Sequence, residues 1–227
     1  MSTIAFFDVD ETLISVKSMF HFLDYFLRER GEPPSTYARL SGELRQMARS
    51  GAPRQDVNRH YYTYYRGQTA RDLSELGQRW FDDECTTRFH HQTLDVLDQH
   101  RTRGADIVLV SGSFFACLDP VVDAVGAVAA WGSRPRIRRG ELTGEVVVPM
   151  IGTMKRHAVE MTAAASGARP ADCYAYGDHI SDLPMLRAVG HPTAVGPDPD
   201  LNAHATRHGW PHLDLSPAAS AHVKDLS

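Results

Sequence analysis

Near the start of this chain an apolar segment runs straight into paired carboxylates: Ile4-Ala5-Phe6-Phe7-Asp8-Val9-Asp10-Glu11-Thr12-Leu13. Two aspartates one residue apart repel each other unless a cation lies between them, a proton is shared, or their surroundings push their pKa values apart. The stretch on its own also fits a strand that ends in a solvated acidic turn. A second stretch, Val110-Ser111-Gly112-Ser113, offers hydroxyls and a glycine just before a helical segment starting near Phe114. Such a loop can cradle an anion or simply cap the helix. Tyr176-Gly177-Asp178-His179-Ile180-Ser181-Asp182 adds two more carboxylates, and Lys155 stands alone early in a helical stretch.

The elements needed to carry these groups follow from the apolar pattern. Ile4 to Phe7 and Asp106-Ile-Val-Leu-Val110 read as short buried parallel strands, and alternating side-chain direction sends Asp8 and Asp10 off the same side of the first one. Weaker strands are expected at Gly126 to Ala130, Cys173 to Tyr176 and Thr193 to Val195. Arg134 to Ile137 and Glu145 to Val148 read as a hairpin around Arg139-Gly140. Helical spacing covers Ser18 to Arg30, Ser35 to Ser50, Gln55 to Arg66 and Ala70 to Glu84, then Thr87 to Arg103 and Gly152 to Ser166. Strands alternating with helices predict an α/β fold with a doubly wound parallel sheet. Nothing between about residues 15 and 88 reads as a strand, so that block is expected to be a helical insert. The expected division is a core of residues 1–14 and 90–216, an insert of 15–89 and a loose tail of 217–227.

Composition narrows the partners. The chain has 227 residues, 42% of them apolar, enough for a globular core. A formal charge of −4 and a pI near 6.3 provide no basic field for nucleic acid or a membrane surface. Apolar runs are far shorter than the ~20 residues of a membrane helix. Cys85, Cys117 and Cys173 lack metal or disulfide spacing, and with no leader pattern they point to reduced thiols and a cytoplasmic protein.

Taken in chain order, Asp-x-Asp-x-Thr, Ser-Gly-Ser, the lone Lys and Gly-Asp-x-x-x-Asp form a set that resembles the haloacid dehalogenase superfamily, most closely its phosphoserine phosphatase branch. Phe114 after Ser-Gly-Ser, the Gly140-Glu-Leu-Thr-Gly144 turn and Ala194-Val-Gly-Pro-Asp198 followed by Gly209-Trp210 agree with it. The resemblance implies a Rossmann-like core with a first-type helical cap, acting as a Mg²⁺-dependent phosphatase on a small phosphorylated metabolite. It further implies Asp8 as nucleophile and Asp10 as general acid and base. Mg²⁺ would be held by Asp8, Asp178 and the Asp10 carbonyl, with Asp182 orienting bound water. Thr12, Lys17, Ser111, Gly112, Ser113 and Lys155 would meet substrate. Two other uses of this chemistry are a phosphotransferase, which passes the phosphoryl group to an acceptor hydroxyl, and a phospho-switch, which Asp10 disfavours by activating water. Glu11 departs from the small residue common after the second aspartate. Lys17 occupies the position where phosphoserine phosphatases carry a Glu for the substrate's amino group, and a solvated helix-start lysine is the alternative reading. Tyr61, Tyr64 and Tyr65 share a helical face and read as core.

Overall fold

Alternation along the first strand is what separates the two faces of the structure. In the computed structural model, which describes residues 3–215, Ala5 and Phe7 join one buried cluster while Ile4 and Phe6 join another. The tail expected at 217–227 lies outside the described residues. The strands in chain order are β1 (Ile4–Phe7), β2 (Asp106–Val110), β3 (Ala129–Trp131), β4 (Arg134–Arg138), β5 (Glu141–Val148), β6 (Tyr174–Gly177), β7 (His191–Val195) and β8 (His212–Leu213). Six of them form one sheet in the order β3-β2-β1-β6-β7-β8, every neighbouring pair parallel. Strand order reverses between β1 and β6. In open α/β sheets that crevice, beyond the carboxyl ends of the strands, is where ligands bind. The expected hairpin is present as the antiparallel pair β4 and β5.

Between β1 and β2 the chain forms α1 (Ser18–Glu29), α2 (Pro34–Arg49), α3 (Arg54–Thr63) and α4 (Ala70–Trp80), and α4 widens into a π-helical turn at Phe81–Cys85. The helix expected from Thr87 starts later, as α5 (His91–Thr102). Residues 88–90 are engaged otherwise: Ser15 donates its N–H to Arg88 O at 2.7 Å and His90 donates to Leu13 O at 2.9 Å. The strand expected from Gly126 is likewise delayed, because Gly126, in a left-handed conformation with φ 61°, closes α6 (Phe115–Val125). The remaining helices are α7 (Thr153–Ser166), α8 (Leu183–Leu186) and α9 (Pro199–His208).

The insert is welded to the core by aromatic side chains. Phe22 of α1 and Tyr61 and Tyr62 of α3 pack edge-on against Phe114, with ring centroids 5.7, 6.4 and 5.2 Å away, and Tyr65 lies 5.5 Å from it. Tyr61 and Tyr65 are fully buried, as the core reading expects, and so is Tyr62, which lay outside that reading, whereas Tyr64 stays half-buried just beyond the end of α3. On the other side of this cluster α4 crosses α6 at Gly77. A Cβ there would lie 1.8 Å from Ala116 O, so the approach of the two backbones requires a residue without one.

Candidate active site

The switch point gathers the motifs at one place. Asp8 follows β1 directly, and its N–H donates to Tyr176 O of β6 at 2.9 Å, which registers it against the neighbouring strand. Asp178 follows β6, and Thr12 Oγ1 donates to its Oδ1 at 3.1 Å. Lys155, on the first turn of α7, reaches in so that Nζ donates to Asp8 Oδ1 and to Asp182 Oδ1, both at 2.6 Å. Asp182 can come this close because residue 177 is glycine: a Cβ there would meet Asp182 Cβ at 2.8 Å. Ser111 and Gly112 follow β2 and line the same recess, together with Asp10 and Lys17.

Charge in this recess is unbalanced. Asp8, Asp178 and Asp182 present oxygens within 4.8 Å of one another, against one buried ammonium. Burial raises the Asp178 carboxyl to about 9, with the charges of Asp8 and Asp182 adding to it. Burial also raises Asp8, although the Lys155 ammonium pulls the other way. Burial alone would lower Lys155, but Asp182 and Asp8 overcome it and hold the lysine charged. An all-oxygen donor set with excess negative charge fits a hard divalent cation such as Mg²⁺. Asp10 differs from the other three. Its Oδ1 is enclosed without a hydrogen-bond partner among the described residues, and burial pushes its carboxyl up to about 7, opposed by hydrogen bonding with Ser18 and reinforced by Asp8.

The haloacid dehalogenase-like hydrolase model matches residues 5–187, a span holding every one of these groups. The chain belongs to that family. Among its relatives a probable phosphatase of Mycobacterium tuberculosis is 34% identical over 222 residues, covering 94% of this chain and 76% of that protein. A Bordetella pertussis protein of unknown function superposes with a TM-score of 0.86 at 25% identity, over 95% of this chain and all of that one (100%). A substrate-bound phosphoserine phosphatase shares the fold at TM-score 0.69 and 19% identity, covering 94% and 93% of the two chains.

Within this haloacid dehalogenase-like hydrolase two of the expected substrate residues do not line the recess. Thr12 is turned onto Asp178, and Ser113 Oγ accepts from Ser18 Oγ at 2.9 Å while its N–H donates to Ser111 Oγ at 3.0 Å. Lys17 lines the rim and pairs with Glu11 at 3.1 Å. Glu11 itself adopts φ 59°, which explains why a small residue suits this position: the turn after Asp10 needs a left-handed residue, unfavourable by roughly 1–2 kcal/mol for a side chain with a Cβ.

Other contributors went unseen in the sequence. Asn58 Nδ2 donates to Gly112 O at 3.0 Å, and Ser133 Oγ donates to the same carbonyl at 2.7 Å, so the insert and the root of the hairpin jointly hold the Ser-Gly-Ser loop. Arg54 Nη1 donates to His179 Nδ1 at 2.7 Å. Ser181 N–H donates to the same nitrogen at 3.0 Å, which assigns His179 as a neutral ring protonated on Nε2. Burial, helped by Arg54, lowers its pKa. Arg54, Asn58 and Tyr61 or Tyr62 recur at helical spacing along α3, and that stripe was the available signal.

Proposed function

We propose that the chain is a Mg²⁺-dependent phosphatase of a small phosphomonoester, working through an aspartyl-phosphate at Asp8, with the helical insert 15–89 as its cap and the cytoplasm as its compartment. The observation that carries this reading is the cluster of Asp8, Asp178 and Asp182 at the switch point, with Lys155 bonded to Asp8 and Asp182 and with Asp10, one of whose oxygens has no partner among the described residues, in the same recess. No described helix is long and apolar enough to cross a membrane.

Mg²⁺ would be held by Asp8, Asp178 and the Asp10 carbonyl, with Asp182 supporting its water, and it supplies the positive charge that lets a carboxylate approach a phosphate dianion. The Asp8 carboxylate attacks phosphorus as the bond to the leaving alkoxide breaks. Asp10 gives that alkoxide its proton, then takes one from the water that attacks the aspartyl-phosphate, and inorganic phosphate departs with Asp8 restored. A carboxyl poised near neutrality suits both duties. Ser111, the Gly112 N–H and Lys155 bind the phosphoryl oxygens, where fixed donors stabilise the charge that develops. Thr12 and Ser113 act one step back, by holding Asp178 and the Ser111 hydroxyl.

A panel of phosphorylated metabolites and p-nitrophenyl phosphate, assayed with Mg²⁺ and with chelator, tests the reading. Phosphate release that requires the metal and disappears in Asp8→Asn is expected. Metal-independent release, or release that survives the substitution, would remove Asp8 from the reaction.

A further inference from the structure

The recess around Asp8, Asp10 and Lys155 has a volume of about 110 Å³. That accommodates a phosphoryl group and little else, whereas sites for small molecules usually span ~300–1,000 Å³. The rest of any substrate must lie elsewhere, and of the cavities that adjoin the recess the smaller, about 260 Å³, is edged by Glu11, Asp178 and Asp198, whose carboxylates disfavour an anionic ester. Another cavity, of about 430 Å³, adjoins the recess, and Lys17, Met19, Arg54, Asn58 and Ile151 are among the residues that line both. Its walls are largely apolar: Met19 and Phe20 of α1, Leu44 and Ala48 of α2, Val57 of α3, and Ile151 ahead of α7. Met19, Phe20, Val57 and Ile151 are only partly buried, so they keep apolar surface available to a ligand.

Charge on this cavity has one sign. Lys17, Arg45 and Arg54 line it, and no carboxylate does among the described residues. Lys17 is balanced by Glu11. Arg54 engages only the neutral His179 ring, and Arg45 engages the Ser41 hydroxyl at 2.5 Å, so neither guanidinium has a carboxylate partner among the described residues. A ligand ammonium would find repulsion here, and an anion would find two charged donors.

We propose that this cavity holds the alcohol portion of the substrate, and that the substrate is a phosphomonoester with an apolar body carrying a second anionic group. The assignment rests on the phosphatase reading above. Burial of methylenes against α1, α2 and α3 supplies affinity, Arg45 selects the far end of the molecule, and Arg54, which also lines the recess, stands at the junction of the two cavities.

The test uses the full chain with Mg²⁺ and measures kcat/KM for n-alkyl phosphates from ethyl to hexyl, then for 6-carboxyhexyl against 6-aminohexyl phosphate. Efficiency should rise along the alkyl series by up to about fourfold per methylene, and the carboxylate ester should exceed the amine by about tenfold. Ala48→Glu, on the exposed surface of α2 at the cavity wall, should flatten the alkyl series and lessen the preference for the carboxylate. A flat wild-type series, a preference for the amine, or a rising series untouched by Ala48→Glu overturns the proposal while phosphatase activity on p-nitrophenyl phosphate persists. Failure to hydrolyse any phosphomonoester, p-nitrophenyl phosphate included, overturns both readings.

Discussion

Asp8 and Asp10 stand two positions apart in surroundings that ask opposite things of them. Asp8 is fixed by Lys155, which suits the nucleophile proposed above, whereas Asp10 has an oxygen without a partner among the described residues, which suits the proposed proton carrier. Asp10→Asn should therefore slow turnover of a poor leaving group by ~10²–10⁴-fold. With p-nitrophenyl phosphate, whose leaving group needs little protonation, phosphorylation of Asp8 should survive and its hydrolysis should stall. Rapid acid quench and mass measurement of the peptide containing Asp8 should then show accumulated phosphoenzyme. Equal losses for good and poor leaving groups with nothing trapped would leave Asp10 without the acid–base role. Phosphoserine should be a poor substrate, because the position expected to greet its ammonium is Lys17. A kcat/KM for phosphoserine far above the other esters would contradict this. The carboxylates were legible as polar groups at strand ends, but their roles, and Lys155 altogether, came through the family resemblance, because a lone lysine early in a helix is ordinary by itself. Arg54, Asn58 and His179 were not legible, since an insert residue reveals its target only once α3 has been laid across the Ser-Gly-Ser loop.

Elements come together closely at Gly177 and at Gly77, where an added Cβ would lie under 3.0 Å from a neighbouring atom. Gly177→Ala should push Asp182 from Lys155 and reduce kcat by about tenfold or more, as small displacements of positioned groups do. Circular dichroism should remain near wild type. Gly77→Ala should instead act on stability, lowering the free energy of unfolding in urea by about 1–3 kcal/mol, the usual range for overpacking. Wild-type denaturation midpoints would show that α4 and α6 can separate freely. Strand and helix order followed from apolar period, which is why the sheet could be anticipated. Boundaries shifted where a backbone obligation outside the period intervened: residues 88–90 bond to the chain leaving β1, and Gly126 takes a left-handed turn before β3. The two-residue β8 is too short to carry any period.

At the scale of the whole molecule the catalytic charge works against the fold. Burial and the charges of Asp8 and Asp182 raise Asp178 to about 9, so at neutral pH the metal-free fold must keep protonated a carboxyl that the unfolded chain would ionise, and it holds Asp178 at a loss. Asp178→Asn should raise the Tm of the metal-free protein by several degrees while abolishing activity. In the wild type, saturating Mg²⁺ at about 100 times its Kd should contribute ~2.7 kcal/mol, a rise absent from the variant in differential scanning fluorimetry. A Tm for Asp178→Asn below that of the wild type without metal would show that the carboxylate is structurally required. The aromatic weld around Phe114 bears on something different, the modularity of the chain. One continuous buried cluster runs from Phe22 and Tyr61 of the insert through Phe114 to Leu109 beneath the sheet. The helical block is therefore no exchangeable cassette. Expressed alone it would leave that cluster open to water, and grafted onto another core it would need a partner surface that replaces Phe114 and its neighbours. The walls of the recess and of the cavity beside it therefore have to be altered side chain by side chain, with the helical block kept on its native sheet.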